Sequence, residues 1–195
     1  MLWPMDDLHR PPLTLAAILP EQAELLAAWR REPSSLANNP VLPLSPAELR
    51  DQIRRLARDL PALDPAGYRW VVFCAGEPIG SISLKTISRQ MLYGEIGYHI
   101  GEAFQGRGLG SLAVALAVDT IFRETRLHRL FAHVAAFNQR SQRLLRRLGF
   151  RQEGVLRQHY VIADRRVDQV VLGLLRPEWE AARGIVKPLS FDQFL

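Results

Sequence analysis

Three alternating glycines, Gly106, Gly108 and Gly110, fall in the run Gln105, Gly106, Arg107, Gly108, Leu109, Gly110, with Ser111 directly behind. Glycine leaves backbone N–H groups unshielded by a Cβ and lets the chain adopt positive φ. A strand-like stretch over 95–100 precedes the run. A helical stretch from near Ser111 to about Thr125 follows it. Exposed amides at the positive end of a helix dipole are the physical recipe for holding a phosphate or pyrophosphate.

The surroundings narrow the ligand. A Walker loop needs a lysine and then Ser or Thr after its last glycine; Leu109, Gly110 and Ser111 supply no lysine, which argues against nucleotide hydrolysis. A dinucleotide fingerprint needs glycine where Ser111 stands and an acidic residue about twenty positions on. The next strand ends at His133 and Val134 with no carboxylate nearby.

The elements that position this loop are legible from pattern. A short strand over 13–18 leads to an amphipathic helix over 20–31, with Leu25, Leu26 and Trp29 inward. The segment 33–43 reads as a loop rich in Pro, Ser and Asn. Ser45, Pro46 and Glu48 form a capping box with proline at the first helical position, so a helix is expected from 46 to about 60. Strands over 68–74 and 79–84 flank a hairpin turn at 75–78, and a third over 93–100 continues the meander. After the glycine loop and its helix come a strand at 129–134 and a helix at 139–148 capped by Gly149. A final β pair spans 157–163 and 168–175 around a turn at 164–166. The strand–helix–strand step requires parallel pairing. The fold class is therefore α+β: one mixed, mostly antiparallel sheet with helices on both faces. It reads as a single domain with a core of about 13–176. The tail 177–195 adds a short helix through Trp179, and Phe191 and Phe194 dock on the domain or on a partner.

Composition sets the limits. At 195 residues, with 48% hydrophobic and 23% charged, the chain suits one packed globular domain. No apolar run approaches the roughly 18–20 residues of a membrane span, and the acidic start is unlike a signal peptide, so a cytoplasmic location is expected. A single cysteine, Cys74, rules out a disulfide framework and a CxxC site; it reads as a core thiol, and no metal is expected. The net charge of +5 is carried by arginine, since Lys85 and Lys187 are the only lysines. Eight arginines between 140 and 166 face only Glu153 and Asp164. Arg140, Arg143, Arg146 and Arg147 read as a solvated helix face. With no aromatics interleaved, nucleic acid is disfavoured.

The run 105–110 resembles the Gln/Arg-x-x-Gly-x-Gly/Ala loop of the GNAT N-acetyltransferases. The resemblance continues through Ile96-Gly97-Tyr98, Phe104-Gln105-Gly106, Asn138-Gln139-Arg140-Ser141, Leu148-Gly149-Phe150 and Glu153-Gly154, with Arg157 and Asp168, in the order of the RimJ/RimL branch. It covers roughly 70–175. It implies that the loop binds the pyrophosphate of acetyl-CoA through the amides of Arg107, Gly108, Leu109 and Gly110, with Gln105, Gly106 and Ser111 also at the cofactor. It implies that strands 95–100 and 129–134 splay apart, helped by a bulge, and take the pantetheine arm as a surrogate strand. A backbone N–H among Tyr98, His99 and Ile100 would meet the acetyl carbonyl. Asn138 would contact the cofactor, although its place before a helix equally makes it an N-cap.

Direct attack by a primary amine needs a group to remove its proton. Glu95 is the candidate base, because alternation puts Glu95, Gly97 and His99 on one face beside the cleft. A surface glutamate at a strand start is the bland alternative. His99 is a second candidate, or a satisfied core histidine. In the RimJ/RimL branch a serine at the position of Ser141 is thought to protonate the leaving thiolate. Many relatives use a tyrosine one turn on, where this chain has Leu145. That leaves the role to Ser141 or to Tyr160, with a plain helix-surface hydroxyl as the other reading of Ser141. The resemblance implies a protein N-terminus, ribosomal-protein-type, or a small amine (amino acid, polyamine, antibiotic) as acceptor; the first is preferred for a +5 chain. A larger acyl-CoA, a non-catalytic coenzyme A sensor, and a monomer or homodimer all remain open at this point.

Overall fold

The computed structural model describes residues 12–40 and 44–183. The strands are β1 (Leu13–Ala17), β2 (Tyr68–Cys74), β3 (Glu77–Ser88), β4 (Tyr93–Ile100), β5 (Arg129–Ala135), β6 (Arg151–Ile162) and β7 (Arg165–Leu175). The helices are α1 (Ala23–Arg31), α2 (Pro33–Asn38), α3 (Pro46–Arg55), α4 (Leu109–Glu124), α5 (Gln139–Arg147) and α6 (Arg176–Ala182). The seven strands form one sheet in the order β1-β2-β3-β4-β5-β7-β6, in which only β4 and β5 pair in parallel. This is the α+β architecture with a mixed, mostly antiparallel sheet expected above.

Alternation along the strands builds two cores. Trp70, Val72, Ile82, Leu84, Ile96 and Ile100 bury against α4, whose Leu109, Ala113, Val114, Ala117, Val118, Ile121 and Phe122 make a helical stripe. Val71 on the opposite face closes a smaller core with Leu26, Trp29, Leu49 and Ile53 of α1 and α3. Helices thus cover both faces.

Several boundaries differ from the sequence reading for identifiable reasons. The expected loop at 33–43 contains α2; Pro33 stands in its first turn, where a missing N–H costs nothing. Residues 41–43 lie outside the described residues. The capping box starts α3 as expected, with Ser45 Oγ accepting from the Glu48 amide, but the helix stops at Arg55 rather than 60. There Leu56 turns extended and the Ala57 amide bonds Gly67 O at 2.9 Å.

Both hairpins are tighter than expected. Ala75 and Gly76 take φ of 50° and 84°, and Ala163 and Asp164 take 47° and 59°, so two residues suffice for each turn. Glu77, Pro78, Arg165 and Arg166 consequently belong to strands. β3 also runs on past Leu84 to Ser88, and β6 starts six residues before 157, at Arg151. β6 is the sheet's edge and mostly exposed, so it carries no apolar alternation to read. Trp179 lies on α6, buried, and its indole donates to Asp119 Oδ1 at 2.7 Å. Phe191 and Phe194 fall outside the described residues.

Candidate active site

The two parallel strands part company. β4 and β5 pair only from Tyr93↔Arg129 to Glu95↔Phe131. Beyond that, β4 stays on β3 as far as Ile100↔Gly80, and β5 stays on β7 as far as Ala135↔Gln169. The result is a wedge-shaped gap in mid-sheet. No bulge in β4 makes it: pairing with β3 is regular from Glu95 to Ile100, and the irregularity lies between Lys85 and Ser88, where Thr86 has φ 51°. The Gly101 amide bonds Ile79 O in β3. Alternation then directs the His99 and Gly97 amides to β3 and turns those of Ile96, Tyr98 and Ile100 into the gap.

At the gap's end stands the glycine loop. Gly106 and Gly108 have φ of 84° and 77°, and a Cβ on either would meet nothing within 4 Å. Glycine is needed there for conformation, and open space lies over the backbone. Gly110 differs: its Cβ would sit 3.2 Å from Leu144 Cδ1, so it permits close packing of α4 on α5. Gly108 N-caps α4, and its carbonyl accepts from the Ser111 and Leu112 amides. Among the described residues the amides of 107–110 carry no backbone hydrogen bond. The Leu109 side chain is core, and the Arg107 side chain is exposed and off the cavity wall. Gln105 acts as a strut. Its Nε2 donates to Ile100 O at 2.8 Å and to Ser34 Oγ at 3.2 Å, while its Oε1 accepts from Arg140 at 2.8 Å.

The sheet divides the remaining candidates between its two faces. On the α4–α5 face, Tyr98 Oη lies 2.7 Å from Ser141 Oγ. Burial pushes the Tyr98 hydroxyl up to about 12, against the opposing effect of the Ser141 hydrogen bond, so it stays protonated. Asn138 Oδ1 accepts from the Ser141 amide at 3.1 Å, which makes Asn138 the N-cap of α5. Leu145, one turn after Ser141, is wholly buried.

On the α1–α2 face lies Glu95, only 7% exposed and so no surface glutamate. Its carboxylate is held by Lys85 Nζ at 3.1 Å, Thr86 Oγ1 at 3.0 Å and His133 Nδ1 at 3.4 Å. His99 packs on Trp29 and touches Ser35 Oγ through Nδ1 at 3.3 Å. Its Nε2 lies 3.0 Å from Glu32 Oε2, in contact but off the line of a hydrogen bond. Burial depresses the His99 pKa, and the Glu32 carboxylate opposes that. Tyr160 is turned in by a bulge of β6 between Leu156 and Tyr160, where Gln158 has φ 51° and its amide bonds Asp168 Oδ1 at 2.8 Å. Burial and the Glu95 charge push the Tyr160 hydroxyl to about 12.

These groups line one cavity of about 950 Å³ that passes through the gap from face to face. Gly106, Gly108, Gly110, Ser111, Asn138 and Ser141 line it from one side, and Glu95, His99 and Tyr160 from the other. Sequence reasoning missed Arg30, Asn38, Arg69, Lys85 and His133, which also line it. The alternation Ser81, Ser83, Lys85 on β3 was the available signal for a polar sheet face. Cys74 is half-buried at the end of β2, packed on the main core. Among the described residues no cluster of three or more His, Cys, Asp or Glu could hold a metal, and no helix is long and apolar enough to cross a membrane.

The chain is similar to known proteins in sequence and in fold. A probable N-acetyltransferase, YjcK, from Bacillus subtilis is 38% identical over 116 residues, 58% of this chain and 64% of its own. The [ribosomal protein uS5]-alanine N-acetyltransferase of Escherichia coli is 36% identical over 88 residues, 45% of each chain. The chain thus spans about half to two-thirds of the length of these relatives. Among solved structures, spermidine N-acetyltransferase from Vibrio cholerae in complex with CoA and spermine superposes with a TM-score of 0.77 at 25% identity, covering 86% of this chain and 97% of its own. The acetyltransferase (GNAT) domain family matches residues 12–151, which include the gap, the glycine loop and the first turn of α5. With that match over most of its length, the chain belongs to the GNAT acetyltransferase family, on the RimJ/RimL-like side.

Proposed function

We propose that this protein transfers the acetyl group of acetyl-CoA to the N-terminal amine of a protein or peptide, by direct attack with both substrates bound. The observation that carries the choice of acceptor is the charge of the cavity wall. On the α1–α2 side of the cavity Glu95 is the one carboxylate among the described lining residues, against Arg30, Arg69 and Lys85. A polycationic amine would meet repulsion along most of that wall. A peptide N-terminus brings a single ammonium, for which Glu95 suffices.

The donor side fits acetyl-CoA on two observations. The unbonded amides of 107–110 and the N-terminus of the sixteen-residue α4 offer donors to a pyrophosphate. The gap between β4 and β5 leaves inward-turned amides with no strand partner, as an extended pantetheine arm requires. Arg140, Arg143 and Arg147 line the same end and add positive charge.

The chain's own groups then have distinct tasks. Tyr98 or Ile100 would donate its backbone N–H to the acetyl oxygen as negative charge develops there. Glu95, with His133 beside it, would take a proton from the incoming ammonium. As nitrogen bonds to the carbonyl carbon the C–S bond breaks, and a second amine proton ends on sulfur. Ser141, hydrogen-bonded to the protonated Tyr98 hydroxyl, would deliver it. Tyr160 would shape the acceptor side. Mass spectrometry of peptides and polyamines incubated with the protein and acetyl-CoA tests the reading: acetylation on peptide α-amines supports it, and acetylation of spermidine alone overturns it.

A further inference from the structure

Arg69 presents a cation that none of the described residues neutralises. It sits on β2, half-buried, and lines the cavity under α1 and α2. Among the described residues its guanidinium has no hydrogen bond, ion pair or aromatic partner; only its backbone carbonyl is engaged, by the Ile18 amide. Burial, with Arg30 nearby, pushes its pKa down to about 10, so it remains charged at neutral pH. Of the other cations on this face, Lys85 is held by Glu95.

The register places Arg69 in line with the reaction. Arg69 pairs with Ser83, and Ser83 pairs with Gly97 on β4. This row spans two interstrand steps, about 9–10 Å. Beyond Arg69 the row itself carries no tall side chain. Ser81 and Ser83 are short and buried, Gly97 has no side chain, and a Cβ there would already meet Ser83 Oγ at 3.0 Å. The floor between Arg69 and the gap is therefore low and polar. A desolvated guanidinium without a partner is costly, and its planar fork matches a carboxylate.

We propose that Arg69 is the acceptor-recognition residue of this pocket, binding a carboxylate that the acceptor carries a few bonds from its amine, such as an acidic side chain at the second position of a peptide. This rests on the peptide N-terminus reading above and sharpens it. The acceptor would lie along the Arg69–Ser83–Gly97 row, its amine at the Glu95 end and its anion at β2.

The test compares peptides identical except for Asp, Asn or Lys at position two, with spermidine alongside, in wild type, Arg69→Met and Arg69→Lys. Wild type should favour the Asp over the Asn peptide by about tenfold, through KM, with the Lys peptide poorer still. Arg69→Met should bring the Asp:Asn ratio near one, and Arg69→Lys should keep part of it. Equal use of all three peptides by wild type overturns the anion subsite while the peptide reading stands. So does a ratio that survives in Arg69→Met. Turnover of spermidine with no peptide acetylated overturns both. If Arg69→Met does not fold, the wild-type ratio and Arg69→Lys still decide.

Discussion

Tyr98 Oη and Ser141 Oγ lie 2.7 Å apart, tying the end of β4 to the first turn of α5 across the mouth of the gap. A buried tyrosine pushed up to about 12 keeps its proton at any working pH, so the pair holds a donor rather than a base. Ser141→Ala should lower kcat on the order of 10²-fold with little change in KM for acetyl-CoA, measured by thiol release. Tyr98→Phe should lower it less, because Ser141 then keeps its hydroxyl and loses only its orientation. Equal, negligible effects would place the proton donor elsewhere.

Glu95 is boxed by Lys85, Thr86 and His133, an arrangement that fixes its carboxylate toward the cavity. Glu95→Gln preserves shape and removes proton affinity. Turnover should fall on the order of 10²-fold, and its pH profile should change form. Unchanged turnover across pH would remove Glu95 as the base.

The glycine loop should report on the donor alone. Gly108→Ala forces a Cβ into φ 77°, at a cost of about 1–2 kcal/mol in local conformation, with no clash to relieve. KM for acetyl-CoA should rise severalfold while acceptor KM is unchanged. Gly110→Val should instead lower thermal stability, since Leu144 Cδ1 already lies 3.2 Å from the Cβ position.

Burial holds the His99 pKa below its ordinary 6.5 in the folded state. The unfolded chain then binds the proton more readily, so stability should fall as pH drops from 6.5 toward the folded value, and this contribution should be flat above pH 6.5. His99→Gln should flatten that part of a Tm-against-pH curve between pH 5 and 7. A curve of unchanged slope would assign the acid sensitivity to other groups.

Much of this was legible in the sequence, and the exceptions have physical causes. The strands from Tyr68 to Ile100 and the apolar stripe of α4 follow from side-chain alternation and helical spacing, which burial enforces. The loop announced itself because Gly106 and Gly108 need positive φ. By contrast, β6 is an exposed edge where polar residues carry no period, and α2 is a six-residue helix in a Pro, Ser and Asn setting that reads as a turn. The α1–α2 side of the cavity was hidden for another reason. Arg69, Lys85, Glu95 and His133 come from four strands, and only the register brings them to one face. Their sequence spacing contains no trace of that meeting.

The most direct test of the account is where acetyl groups appear when the protein is given acetyl-CoA with an equimolar panel of peptides bearing free α-amines, free lysines and spermidine. Fragment-ion mass spectrometry should place acetyl on peptide α-amines and leave lysine side chains and spermidine unmodified. Acetyl found on spermidine alone, or on no amine while the protein still binds coenzyme A, would contradict it.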